Sequence, residues 1–306
     1  MLKRMIALFA ALVLLLSLAP AALAENSDKK AEVQTEFRIT VEKSDYSVVE
    51  GLDKDVLNIL LLGTDSDGAL NYGRSDAMII CSIHKKTGLI QLSSIARDLY
   101  VDIPNSNITD RINTANSYGG PLLAMKAVNE ALGLNIEHYV TINFSSFEKV
   151  VEILEGVDIE ISNAEANEIN KRLGKNSLSS GGLVHMNGEQ ALAYVRIRNL
   201  DNNFGRNNRQ RIFLQAVLDK VLKEKDIFQI IELIDVCLDY MDYNLGFMDV
   251  VSIAWTVLTK GVTLDMYSCP ASGQYHYETI EGKGSVVIGK MEDVRETLHA
   301  FIYGAE

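Results

Sequence analysis

Leu57-Asn58-Ile59-Leu60-Leu61-Leu62-Gly63-Thr64-Asp65 is the stretch on which the fold turns, together with Asp76-Ala77-Met78-Ile79-Ile80-Cys81-Ser82-Ile83 and Leu89-Ile90-Gln91-Leu92-Ser93-Ser94-Ile95 behind it. The first segment is almost wholly aliphatic, as a strand buried on both faces must be, and it stops at a glycine. Residues His84 to Gly88 make a turn between the second and third segments. Strands joined in this way run up, down and up. The end of the first, the start of the second and the end of the third then fall at one edge of the sheet. Asp65, Arg74, Asp76, Arg97 and Asp98 are therefore expected together.

Working outward, apolar spacing predicts helices at 122–132 and 145–154, a short strand between them at 139–142, a strand at 157–161 and a polar helix at 163–173. A loop at 177–182 leads to a short helix at 187–193. Amphipathic helices near 227–240 and 247–259, a strand at 262–269, a glycine-containing loop through 284, a strand at 285–288 and a helix at 290–303 complete the chain. Strands and helices alternating behind a β-meander predict an α/β fold, a mixed central β-sheet flanked by helices on both faces. Residues 25–54 are charged and read as a linker with a candidate edge strand near 36–41.

After the short helix comes an unusual concentration of charge. Between Tyr194 and Arg211, eighteen residues hold Arg196, Arg198, Arg206, Arg209 and Arg211, five of the twelve arginines in the protein. The apolar residues between the first two predict a strand on which Arg196 and Arg198 share a face. Arg206 and Gln210, four apart where a helix begins, share a face near its free N–H groups. Such a cluster is either a solvated basic face or an anion site. Interleaved apolar residues and the exclusion of lysine favour the anion site, because the arginine fork fits phosphate bidentately and keeps its charge.

The 306 residues carry a net charge of −12 and 47% hydrophobic residues. One small basic island on an acidic chain excludes nucleic acid as the main partner and points to a compact site for a phosphorylated ligand. Residues 1–24 read as an export signal: Lys3 and Arg4, an apolar run from Met5 to Leu18, then Ala22-Leu23-Ala24 before Glu25. The alternative is an uncleaved anchor, since the run approaches the roughly 20 residues that span a bilayer. Either way the remainder is expected outside the cytoplasm. No later apolar run is long enough to span. Cys81, Cys237 and Cys269 are too few and too scattered for a disulfide framework or zinc site, and the five histidines have no ligand spacing.

Asp65 and Asp76 offer hard oxygen ligands of the kind Mg²⁺ takes alongside substrate phosphates. The competing reading is that they pair with Arg74 or Arg97. Phosphoryl transfer needs little more than charge neutralisation and an aligned hydroxyl, which arginines and a carboxylate-held Mg²⁺ supply. No nucleophilic Ser, Cys or His constellation competes, so direct displacement is expected.

Leu60–Asp65, Gly73-Arg74-Ser75-Asp76, Ser94–Asp98, Arg111-Ile112-Asn113 with Gly119-Gly120, Asn187–Arg198 and Phe204–Gln210 resemble, in order and spacing, the LytR-CpsA-Psr family. The resemblance implies a catalytic domain over 55–306 that takes a glycan from a polyprenyl-pyrophosphate carrier. It transfers the glycan phosphate, for teichoic acid or capsular polysaccharide attachment, to a peptidoglycan hydroxyl at the outer membrane face. It further implies Mg²⁺ on Asp65 and Asp76, and pyrophosphate contacts from Arg74, Arg97, Arg196, Arg198, Arg206 and Gln210. Asp98 would either order Arg97 or act near the acceptor hydroxyl. The polyprenyl tail would occupy an apolar tunnel. Three positions depart from the family pattern: Ala96 stands for its usual Pro, Arg111 for Lys and Asn203 for Asp. A pyrophosphatase using water, a non-catalytic lipid-pyrophosphate binder and a transcription regulator are the competing readings; export and acidity weigh against the last.

Overall fold

The computed structural model describes residues 39–42, 49, 51–64, 73–197, 200, 209, 212–213, 215–217, 219–220, 241–260 and 263–304. The three opening segments form β1 (Val56–Thr64), β2 (Ser75–His84) and β3 (Leu89–Ile95). They pair antiparallel in succession, as their connections require. Two later strands, β6 (His138–Asn143) and β10 (Thr263–Cys269), add parallel to β1 and β3 respectively. With the two-residue β9 (Asp242–Tyr243) antiparallel to β6, the six-stranded order is β10-β3-β2-β1-β6-β9. The sheet is mixed, as the sequence predicts.

Both faces of this sheet are buried, and the strand period of two divides the core accordingly. From β1 and β2, Ile59, Leu61, Ile79 and Cys81 belong to one apolar cluster, whereas Leu60, Leu62, Met78 and Ile80 belong to the other. This is why the strand reads as an unbroken aliphatic run. Leu61 has no exposed surface, and truncating it to Ala costs about 2–5 kcal/mol.

The first face is covered by α2 (Phe144–Ile153), α3 (Asn163–Leu173) and α4 (Gly188–Val195), with Phe213 and Val217 from the helical residues among 209–220. The α2 and α4 helices approach closely: a Cβ on Gly188 would lie 2.6 Å from the Glu148 carbonyl oxygen. The second face is covered by α1 (Thr114–Leu132) and α6 (Met291–Tyr303). The α1 helix is kinked at Gly119-Gly120-Pro121, where Gly120 has φ 72°, a conformation that glycine alone adopts freely. Proline suits the first position of the restarted helix. The break frees the Tyr118 carbonyl, which accepts from the Ile39 N–H at 3.1 Å. Ile39 and Val41 are buried in the second cluster. Residues 39–42 form no strand, and the rest of the candidate edge strand lies outside the described residues.

Several expectations are corrected. Two hairpins lie on the second face: β4 (Tyr100–Ile103) with β5 (Ile108–Arg111), neither strand of which was foreseen, and β11 (Tyr275–Ile280) with β12 (Gly284–Gly289), where β12 is the strand expected at 285–288 and only its partner was not foreseen. The second occupies much of the predicted loop. A further strand, β8 (Gly182–Met186), pairs with β7 (Val157–Ile161). The strand predicted to carry Arg196 does not form. The α4 helix continues to Val195 and Arg196 is its C-cap, with φ −96° and ψ 2°. The Asn187–Gln190 capping box starts this helix, and burial of Ala191, Leu192, Tyr194 and Val195 carries it through β-favouring residues. The helix predicted at 227–240 lies outside the described residues; that at 247–259 is α5 (Phe247–Lys260).

Candidate active site

The carboxyl ends of β1, β3, β6 and β10 all reach one edge of the sheet. Thr64 pairs with Asn143 and Ile95 with Cys269, and the Ala96 N–H donates to the Cys269 carbonyl at 2.7 Å. Beyond such ends, open α/β sheets hold their ligands. The descending β2 begins at the same edge with Ser75 and Asp76. Asn113, just after β5, stitches the corner: its carbonyl accepts from the Ser75 N–H and its own N–H donates to the Arg97 carbonyl, both at 3.3 Å.

A row of alternating charges lies along this edge. Arg97 Nη1 donates to Asp76 Oδ1 at 2.5 Å, and Arg97 Nε is 3.5 Å from Asp98 Oδ2. Asp98 Oδ1 in turn faces Arg111 Nε at 3.2 Å. The Arg97 and Asp76 side chains are 15% and 14% exposed, Asp98 34%. Arg196 stands next to the row, its guanidinium 4.3 Å from the centre of the Phe144 ring. Burial, then the nearby Arg172 cation, push Arg196 below its ordinary pKa, while Asp76 and Glu148 oppose the shift. Asp76 is thus within electrostatic reach of both Arg97 and Arg196.

Three guanidinium Nε atoms in this region, those of Arg97, Arg111 and Arg196, are buried and make no hydrogen bond among the described residues, the first two facing Asp98 without bonding geometry. An unmet buried donor costs about 1–3 kcal/mol, more when charged. A ligand rich in anionic oxygens relieves that cost. Together with the carboxylates that hold the arginines apart, this makes an edge suited to a pyrophosphate.

Of the residues expected to work together, Asp76, Arg97, Asp98 and Arg196 are assembled. Arg74 is exposed, two residues before Asp76 of the row, and its charge is felt by Tyr118. Asp65, Arg198, Arg206 and Gln210 lie outside the described residues, as do Arg211 and Asn203. Arg209, from the same cluster, is 4% exposed and serves the framework: its Nε donates to Glu165 Oε1 at 2.7 Å and its Nη1 to the Ile197 carbonyl at 3.2 Å. Two residues were not placed at the site by sequence reasoning. Arg111 joins the row from the unforeseen β5, and Arg172, in the last turn of a polar helix, donates to the Arg196 carbonyl at 3.0 Å. Cys81 and Cys269 are buried free thiols, and burial pushes Cys269 up to about 12, so neither is a nucleophile.

Asp76 is a hard oxygen donor of the kind a divalent cation takes, and among the described residues the side-chain oxygens of Asn113 and Asn116, which anchor residues 73–75, are buried without a hydrogen-bond partner. Among the described residues no group of three His, Cys, Asp or Glu side chains is gathered as a metal site.

Known proteins resemble this chain in sequence and in fold. A teichoic acid transferase TagU of Enterococcus faecalis is 34% identical over 250 residues, 80% of this chain and 76% of its own. TagT of Bacillus subtilis is 30% identical over 239 residues, covering 75% and 74%. A solved structure described as TagT (YwtF) with bound octaprenyl pyrophosphate lipid superposes with a TM-score of 0.61 at 26% identity, over 88% of this chain and all of that one. The family model described as the LytR_cpsA_psr family matches residues 13–298, and the chain belongs to that family.

Proposed function

We propose that this protein is a glycopolymer phosphotransferase. It moves a teichoic-acid-type phosphate from a polyprenyl-pyrophosphate carrier onto a peptidoglycan hydroxyl and releases polyprenyl phosphate. The observation that carries this reading is the gathering of Arg97, Arg111 and Arg196 at the sheet edge, with buried Nε atoms that make no hydrogen bond among the described residues. The relatives are named polyisoprenyl-teichoic acid–peptidoglycan teichoic acid transferases, and one neighbour binds octaprenyl pyrophosphate, which is the same ligand chemistry.

In the proposed reaction the acceptor oxygen forms a bond to the glycan-side phosphorus as the bridging P–O bond to polyprenyl phosphate breaks. Arg97 and Arg196 neutralise non-bridging and departing oxygens. Asp98 keeps Arg97 and Arg111 apart and aimed, and as the more open carboxylate of the row it takes the hydroxyl proton. Arg74, Arg198, Arg206 and Gln210 extend the pyrophosphate grip. Asp76, with Asp65 next in sequence to the end of β1, would hold Mg²⁺, which when bound adds positive charge beside the phosphates. Teichoic acid is favoured over capsular polysaccharide as cargo by the relatives' names.

Such a reaction belongs at the outer face of the membrane, consistent with residues 1–24 as signal or anchor. Among the described residues no helix is long and apolar enough to cross a membrane. The test is a transfer assay with the full chain, polyprenyl-pyrophosphate oligosaccharide, Mg²⁺ and uncrosslinked peptidoglycan strands, followed by mass spectrometry of the glycan. Sugar phosphate on the strands supports the reading. Free sugar phosphate alone means a pyrophosphatase, and tight lipid binding without turnover means a binding protein.

A further inference from the structure

The β11–β12 hairpin is fastened to the charged row from two sides. Arg111 Nη2 donates to the carbonyls of Lys283 and Ser285, the latter at 3.0 Å, while Lys283 Nζ is 2.6 Å from Asp110 Oδ2. The Val287 N–H donates to the Asp98 carbonyl at 2.9 Å, and Leu99 bridges Val287. Asp98 is thereby fixed one strand away from β11. Across that strand, Tyr277 is directly opposite Val287 and Tyr275 opposite Gly289.

Tyr275 and Tyr277 are two apart on a strand, so they share a face. Their rings meet edge to face, centroids 5.6 Å apart at 90°. Tyr275 is half-buried against the second cluster, whereas Tyr277 is 68% exposed. A single exposed tyrosine needs no explanation. A braced pair with one open ring, on a hairpin tied to the reacting edge, is different. Thr279 continues the same exposed face with a hydroxyl.

We infer that Tyr277, braced by Tyr275, is a stacking platform for a pyranose ring of the acceptor glycan strand. A pyranose presents a face of polarised C–H bonds, which suits the negative face of an aromatic ring, and hydroxyls at its rim, which suit phenol and threonine. The acceptor is favoured over the donor sugar by position. Arg196 and Phe144 approach the row from the first face of the sheet, whereas Leu99 and Val287 belong to the core of the second. A pyrophosphate held from the Arg196 end leaves the Asp98 end, and the hairpin beyond it, to the incoming hydroxyl.

The inference rests on the transferase reading, and two measurements separate their failures. In the transfer assay with the full chain, Tyr277→Ala is expected to raise the KM for peptidoglycan strands about tenfold with the donor KM unchanged. Tyr277→Trp is expected to keep it. An unchanged acceptor KM, or a raised donor KM instead, overturns the platform. If no variant transfers anything, the transferase reading fails. Co-sedimentation of the full chain with insoluble peptidoglycan then decides the platform alone: retained by wild type and Tyr277→Trp but lost by Tyr277→Ala supports it, and equal retention overturns it.

Discussion

Two largely buried arginine–carboxylate pairs, Arg209 with Glu165 and Arg97 with Asp76, are built for different purposes. Arg209 with Glu165 is closed. Both Glu165 oxygens are taken, one by Arg209 and the other by Ser162 at the start of α3, and Arg209 also holds the Ile197 carbonyl. Arg97 with Asp76 has an equally short contact, yet Arg97 Nε is buried without a hydrogen bond, as are those of Arg111 and Arg196. A satisfied ion pair in a folded domain holds neighbours together. The row at the sheet edge instead keeps buried guanidinium Nε atoms whose geometry toward Asp98 falls short of a hydrogen bond, which leaves them able to take up a ligand's anionic oxygens. Residue type and sequence clustering do not separate the two; the count of unmet donors does.

The sharpest way to break this contrast is at Asp76. Asp76→Ala is expected to abolish Mg²⁺-dependent transfer and the rise in melting temperature that Mg²⁺ gives the wild type. A variant that keeps both removes Asp76 from the site. Next comes Arg196→Ala, expected to slow transfer by about 10²-fold, the loss of one transition-state donor, with little change in urea unfolding. Activity near wild type would put Arg196 with the framework arginines. The reverse pattern is expected at Arg209→Ala. Opening that buried pair costs about 3 kcal/mol of stability, read by urea denaturation, while the folded fraction transfers at close to the normal rate. A stable but inactive Arg209→Ala would reverse the assignment.

The smallest effect concerns the hairpin clamp. Burial alone would push Asp110 up, but hydrogen bonds from Lys283, the Arg111 N–H and Tyr118 outweigh it and hold Asp110 below its ordinary value. With a depressed folded pKa, its stabilisation is present above the unfolded value of about 3.9 and is lost as pH falls through the folded one. The protection factors of the β11–β12 amides, taken against intrinsic rates at the same pH, should therefore fall on acidification below about pH 4 in wild type. Lys283→Met should exchange faster already at neutral pH and respond less to acid. Identical profiles would dismiss the clamp.

Much of this was legible in the chain. The aliphatic runs of β1 to β3 are long and buried on both faces, so their order alone gathers Asp76, Arg97 and Asp98. The bounds of α3 are as clear in sequence as in structure, because Ser162 and Glu165 form a capping box and Gly174 ends the helix. Of the small hairpins only β12 was legible, as the strand at 285–288. Strands β4 and β5 have four residues each, and β11 exposes His276 to Thr279, so their apolar signal is too short or too weak. Arg111 stood out in sequence as part of a motif, but without β5 in view nothing placed it beside Asp98. The Arg196 strand was misread because β-favouring side chains in Tyr194-Val195-Arg196-Ile197 were weighed without the tertiary burial that keeps α4 helical.

The kink at Gly119-Gly120 bears on how the molecule is assembled. A Cβ on Gly119 would lie 2.5 Å from the Ile39 carbonyl oxygen, so the earliest described segment docks only where a helix far later in the chain has broken. Closing so long a loop carries an entropy cost that no contact repays until α1 exists. The segment at Ile39 therefore has no seat until the break in α1 has formed.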